Sequence, residues 1–148
     1  MTKSAVALTF AIALMAAPAY AHDDVTPPMS ADAIAGVRPL VDTFFTTLKS
    51  GDASKAYTDL FADTLVSGKV LELQNLVAQS NFLFQTYGEI QAWTLARSDC
   101  FSPNFCRAIY QVDTHNGPIF LILTLYRRDT GWMATTVLVS DISTNLFD

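Results

Sequence analysis

Few residues in this chain have the chemistry to do work. Cys100 and Cys106 flank a turn-forming run in "DCFSPNFC". Their separation is too wide for the Cys-x-x-Cys arrangement that tunes a redox thiol at a helix start, so the pair reads first as a structural disulfide. Two histidines are present, His22 and His115. Should export leave His22 as the first residue, its amine and imidazole would chelate Cu(II), with His115 or Asp24 completing a planar site. The plainer reading puts His22 in a solvated arm and His115 in a turn beside Asn116-Gly117, and nothing in the sequence brings them together. Nucleophilic catalysis finds no G-x-S-x-G and no serine with an evident histidine partner. Paired carboxylates occur only as Asp23-Asp24, normally a solvated pair, and phosphate loops are absent. No cofactor is expected. The remaining constellation is a mixture of aromatic and polar residues, Trp93, Arg97, Arg107, Gln111 and Tyr126, whose meaning depends on the strands that carry it.

The elements begin after a leader. In "MTKSAVALTFAIALMAAPAYA", Lys3 is a positive n-region, Ala5 to Ala17 an uncharged h-region, and Ala19-Tyr20-Ala21 a small-x-small cleavage pattern. Residues 1–21 are therefore expected to be a secretory signal, and the mature chain to be periplasmic or secreted without a membrane anchor. Two cysteines suit such a compartment. Removing the leader takes one lysine, which shifts the formal net charge from −5 to −6. The acidic residues are scattered and no basic stripe exists, so a nucleic-acid partner is not expected.

Residues 22–30, with Pro27-Pro28, read as a flexible or extended arm, and residues 31–148 as one domain. Ser30 is a good N-cap, and Ile34, Val37, Val41, Phe44, Phe45 and Leu48 recur at helical spacing; Pro39 is expected to bend or restart that helix. Gly51 and Asp52 form a joint to a short second helix carrying Ala53, Ala56, Tyr57, Leu60 and Phe61. A third helix is predicted over about 67–87, with Val70, Leu73, Val77 and Phe84 inward and Gly88 as its stop. Phe44, Phe45, Phe82, Phe84 and Tyr87 read as core, or else as pocket lining.

Beyond Gly88 the period becomes two, which predicts four strands over about 89–100, 105–114, 119–128 and 132–141. Short connections make the sheet antiparallel, and three helices followed by a meander is α+β, with the helices on one face. Taking Asn116-Gly117 as a two-residue turn places Arg107 opposite Tyr126 and Gln111 opposite Ile122. A three-residue loop at 129–131 places Thr124 opposite Thr136 and Leu123 opposite Val137. Opposing Cys100 to Cys106, as a disulfide requires, sets Asp99 against Arg107. One face then collects Ala108, Tyr110, Val112, Leu121, Leu123, Leu125, Val137 and Val139 as core. The other collects Trp93, Leu95, Arg97, Arg107, Ile109, Gln111, Ile122, Thr124, Tyr126 and Thr136. This second face is too apolar for plain solvent and calls for a cover: a ligand, a partner subunit or the C-terminal Asn145-Leu146-Phe147.

The order of elements resembles the nuclear-transport-factor-two-like superfamily, which includes ketosteroid isomerases and polyketide-cyclase-like proteins. "DTFFTTLKSGDASKAYTDLF", "YGEIQAW" and "YRRDTGWMATTVLVSD" carry the resemblance. It implies a cone-like domain in which three N-terminal helices pack on one face of a curved four-stranded meander. It also implies self-association, as in many members. The family's isomerase chemistry does not carry over. The position of its oxyanion tyrosine, seven residues before the joint glycine, is Phe44, and the position of its basic aspartate falls on Gly68 or Lys69. Asp99 pairs more naturally with Arg107 than it serves as a strand acid. The expectation is thus a non-enzymatic binder of a small apolar or amphiphilic molecule or of a protein partner, forming a homodimer. Trp93, Arg97, Arg107, Gln111 and Tyr126 are its ligand or interface residues. A lyase or isomerase working in the cone is the alternative reading, and copper binding through His22 and His115 a third.

Overall fold

The computed structural model describes residues 26–142. The leader, His22, Asp23-Asp24 and the C-terminal Asn145-Leu146-Phe147 lie outside the described residues. Helix α1 spans Ala31–Lys49 and starts where Ser30 Oγ accepts the Ala33 amide at 3.2 Å. Ala33, Val37, Val41, Phe44, Phe45 and Leu48 form its buried stripe. The helix runs unbroken through Pro39 rather than restarting there. Ala35, whose carbonyl loses its donor, and Pro39 both lie on the exposed side, where water can satisfy that carbonyl.

Gly51 adopts φ 88°, and Asp52 accepts the Lys55 amide at 2.8 Å to open α2, Ala53–Leu60. The helix–Gly-Asp–helix joint is therefore a backbone device. A 3-10 turn at Leu65–Gly68, capped by Thr64, precedes α3, Val70–Tyr87, which starts later than the sequence predicts. Val70 is 62% exposed and Phe82 66%, against the expectation that both face inward. Val70 sits in the first turn, and Phe82 is two residues from the buried Ser80, about 200° around the helix. Leu73, Val77 and Phe84 pack against the core as expected. Gly88 closes α3 at φ 88°, close to the turn that follows β2.

Strands β1 (Ile90–Ser102), β2 (Phe105–Thr114), β3 (Gly117–Arg128) and β4 (Gly131–Ser140) form one antiparallel sheet in sequential order. The protein is α+β, with three helices packed against a four-stranded sheet. The predicted core face is observed: Ala108, Tyr110, Val112, Leu121, Leu123, Leu125, Val137 and Val139 are all buried. Cys100 lies opposite Cys106 and Asp99 opposite Arg107, as expected.

Two turns differ from expectation. The β2–β3 turn is His115-Asn116, not Asn116-Gly117, so Arg107 faces Thr124, Gln111 faces Phe120, and Tyr126 faces Phe105. The shift is one of two residues, so every side chain keeps its face. Its cause is the docking of the turn on the end of α3. There the Asn116 amide donates to the Tyr87 carbonyl at 2.8 Å and the His115 amide to that of Glu89 at 3.2 Å. The β3–β4 turn has two residues, Asp129-Thr130, and a bulge at Thr135 restores the predicted pairing of Thr124 with Thr136 and Leu123 with Val137.

At the outer edge of β1 the chain entering α1 is tied down. The Cys100 amide donates to the Pro27 carbonyl at 2.8 Å, the Met29 amide to Ser98 Oγ at 3.1 Å, and Met29 is buried.

Candidate functional site

A bulge in β1 decides where the site lies. The register changes by one residue between Leu95 and Arg97, so Trp93 pairs with Val112 and Leu95 with Tyr110, both on the helix-facing side. Trp93 and Leu95 were expected on the outer face; an extra residue in the strand reverses the side of everything before it. Trp93 consequently turns under α1. Its ring stacks on Phe45 with centroids 5.4 Å apart and an interplanar angle of 23°, and its Nε1–H donates to Asp42 Oδ1 at 3.1 Å. The indole is held at one face and at its polar edge.

The result is a cleft of about 360 Å³ between α1 and β1, lined by Ile34, Arg38, Val41 and Asp42 from the helix and by Trp93, Thr94, Leu95 and Tyr110 from the sheet. Tyr110 is only 7% exposed, and its ring packs on Phe45 at 5.4 Å. Burial pushes the phenol up to about 12, with the Asp42 carboxylate adding to the effect and Arg38 opposing it. Tyr110 therefore stays a neutral hydroxyl through the physiological range, able to donate or accept. Arg38 and Asp42 lie one helical turn apart on α1, yet they form no ion pair among the described residues. Chemically the cleft offers a flat aromatic and aliphatic wall, one neutral phenol, one guanidinium and one carboxylate already engaged by an indole.

The other four residues expected with Trp93 remain on the outer face. Arg107 donates through Nε and Nη2 to Asp99 Oδ2 at 3.2 and 2.9 Å, and Arg97 Nε lies 4.0 Å from the same oxygen. Gln111 donates to Asp113 at 2.7 Å, and Tyr126 meets the Phe105 ring edgewise with centroids 6.5 Å apart. The structure separates Trp93 from this set. Cys100 and Cys106 are joined in a disulfide that closes the β1–β2 hairpin. His115 is exposed in its turn, and no group of three or more His, Cys, Asp or Glu residues suited to a metal occurs among the described residues.

Aromatic side chains pack part of the interior between helices and sheet. Phe44 packs edge-on against Tyr57 at 5.2 Å, and the Tyr57 hydroxyl lies 2.8 Å from Ser80 Oγ, a buried pair satisfied within itself. Burial pushes the Tyr57 phenol up to about 12, partly offset by the Ser80 hydrogen bond.

Arg38, Asp42 and Tyr110 were not singled out from the sequence as a group. A partial signal existed: the large apolar residues Trp93 and Leu95 fall at odd numbers, whereas Cys100 is even, and this change of parity marks an inserted residue between them. No family model, curated protein or solved structure matches the chain.

Proposed function

We propose that this protein is an exported binding domain of the nuclear-transport-factor-two-like, cone-shaped kind that takes a small amphiphilic molecule in the α1–β1 cleft. The observation that carries the reading is Trp93, which the β1 bulge turns under α1 and which Asp42 and Phe45 then hold in place. A pre-set aromatic wall lowers the ordering cost of binding and contributes apolar contact area. Export with cleavage after Ala21 is part of the proposal, and a disulfide is compatible with an oxidising compartment. So is self-association through the outer face. There Ile109 and Phe120 are buried, Leu138 is 58% exposed, and Tyr126 lies at the rim.

Native mass spectrometry of protein exported and purified without added ligand tests this. The reading expects residues 22–148, two hydrogens light, carrying a small organic adduct that is lost when Trp93 is replaced by Ala. An adduct that survives Trp93→Ala would place binding elsewhere. One observation favours a second reading, a lyase or isomerase: a neutral phenol and a carboxylate share the cleft, the donor and base that proton transfer needs. Turnover abolished by both Tyr110→Phe and Asp42→Asn would support it.

A further inference from the structure

Two groups in the α1–β1 cleft have unused hydrogen-bonding capacity. The Tyr110 hydroxyl, on a side chain more than nine-tenths buried, makes no hydrogen bond with any described residue, and neither does the guanidinium of Arg38. Asp42 stands at i+4 from Arg38, a spacing at which an ion pair can form. Lys55–Asp59 and Lys69–Glu72 form such local pairs on the other helical segments. At Asp42 the carboxylate instead accepts the Trp93 indole N–H. The indole thus occupies one oxygen of Asp42, while Arg38 lines the same cleft without an ion-pair contact among the described residues.

We infer that the ligand of this cleft is a small organic carboxylate, its anionic group taken by Arg38 and the Tyr110 hydroxyl and its apolar body laid against Trp93 and Leu95. This rests on the cleft reading above and narrows it to one chemical class. A planar guanidinium can grip a carboxylate with two parallel hydrogen bonds, which an ammonium cannot match. A phenol can donate to the same oxygens. The carboxylate of Asp42 would repel the anion, but its engagement by the indole edge holds it on the Trp93 side. The same carboxylate would attract a cationic ligand, and that competing class belongs in the test.

Three probes of matched shape separate the possibilities: phenylacetate, phenylacetamide and phenethylamine. Binding is read from Trp93 fluorescence in the Trp132→Phe background, where Trp93 is the remaining indole. The expected result is that phenylacetate binds at least about tenfold more tightly than the amide, a difference of about 1.4 kcal/mol, and that the amine binds more weakly still. Arg38→Gln should erase the preference of carboxylate over amide while leaving the amide's own affinity near its starting value. Arg38 is exposed, so this variant should fold normally. Tyr110→Phe should weaken carboxylate and amide alike.

Equal affinity for phenylacetate and its amide, a preference for the amine, or a carboxylate preference that survives Arg38→Gln would each overturn the inference while leaving an apolar cleft in place. Silence from all three probes would overturn the cleft reading together with it.

Discussion

At the scale of single residues, two tyrosines have environments that make their protons count. Tyr57 and Tyr110 are both pushed from the ordinary phenol value of 10.0 up to about 12, chiefly by burial. In the unfolded chain each would ionise near 10, so between about pH 10 and 12 the unfolded state holds fewer protons than the folded one. Stability must then fall as pH rises through that window, by up to about 1.4 kcal/mol per pH unit for the enclosed Tyr57 and by less for Tyr110, which lines an open cleft. Urea midpoints measured from pH 9 to 12 should show this loss, and Tyr110→Phe should make the slope shallower. The same slope in the variant would mean that Tyr110 is not shielded from water. Ser80 offers a second residue-scale prediction. Ser80→Ala leaves the Tyr57 hydroxyl buried without its partner and should cost about 1–3 kcal/mol. The double variant with Tyr57→Phe should be more stable than the sum of the single losses implies.

At the scale of elements, the account rests on turns and bulges. Gly88 adopts φ 88°, and a β-carbon there would stand 3.0 Å from that of His115. Gly88→Ala combines backbone strain with a contact that the docked turn cannot relieve. It should cost about 1–3 kcal/mol, whereas Gly51→Ala, with φ also 88° but open space around it, should cost less. Chemical denaturation of the two variants side by side checks the ordering. Cys100→Ser should destabilise by about 2 kcal/mol, the low end for a disulfide because the closed loop is short. An unchanged midpoint under oxidising conditions would contradict a stabilising bridge.

The legibility of the fold follows the same line. The stripes of α1 and α2, the Gly51-Asp52 joint, the eight core-face strand residues and the Cys100–Cys106 pairing were readable, because local spacing and burial set them, whereas in α3 Val70 and Phe82 proved exposed. What could not be counted out was register across irregularities. The His115-Asn116 turn was displaced by backbone bonds to Tyr87 and Glu89, which are tertiary contacts. The bulge near Ala96 turned Trp93 from one face to the other, and with it moved the candidate site. Asp42 and Arg38 were legible as residues of one helix. Their meeting with Tyr110 was not, since it depends on where that helix lies over the sheet.

At the scale of the molecule, aromatic side chains pack part of the interior, and the proposed binding cleft is at the seam between α1 and the sheet. The outer face presents a different problem. Ile122 and Leu138 pair across β3 and β4, with Ile109 beside them, and Arg97, Arg107 and Asp99 form a charged cluster on the same face. If two copies meet there, Leu138→Glu should convert a dimer into a monomer by sedimentation without changing the melting temperature of the monomer or binding in the cleft. Loss of cleft binding on making that variant would mean that the two faces are coupled.

The most direct measurement of the central claim uses the two indoles as position markers. Trp93 lines the cleft, whereas Trp132 is not among its lining residues and packs against the core from β4, beside Gly36 of α1. An indole-region ¹H–¹⁵N spectrum, assigned with the Trp132→Phe variant, should show the Trp93 Nε1–H resonance moving progressively as phenylacetate is added, while that of Trp132 stays in place. A Trp93 indole resonance that stays still at saturation, while backbone amides of outer-face residues such as Thr124 and Tyr126 shift in the full ¹H–¹⁵N spectrum, would contradict the account.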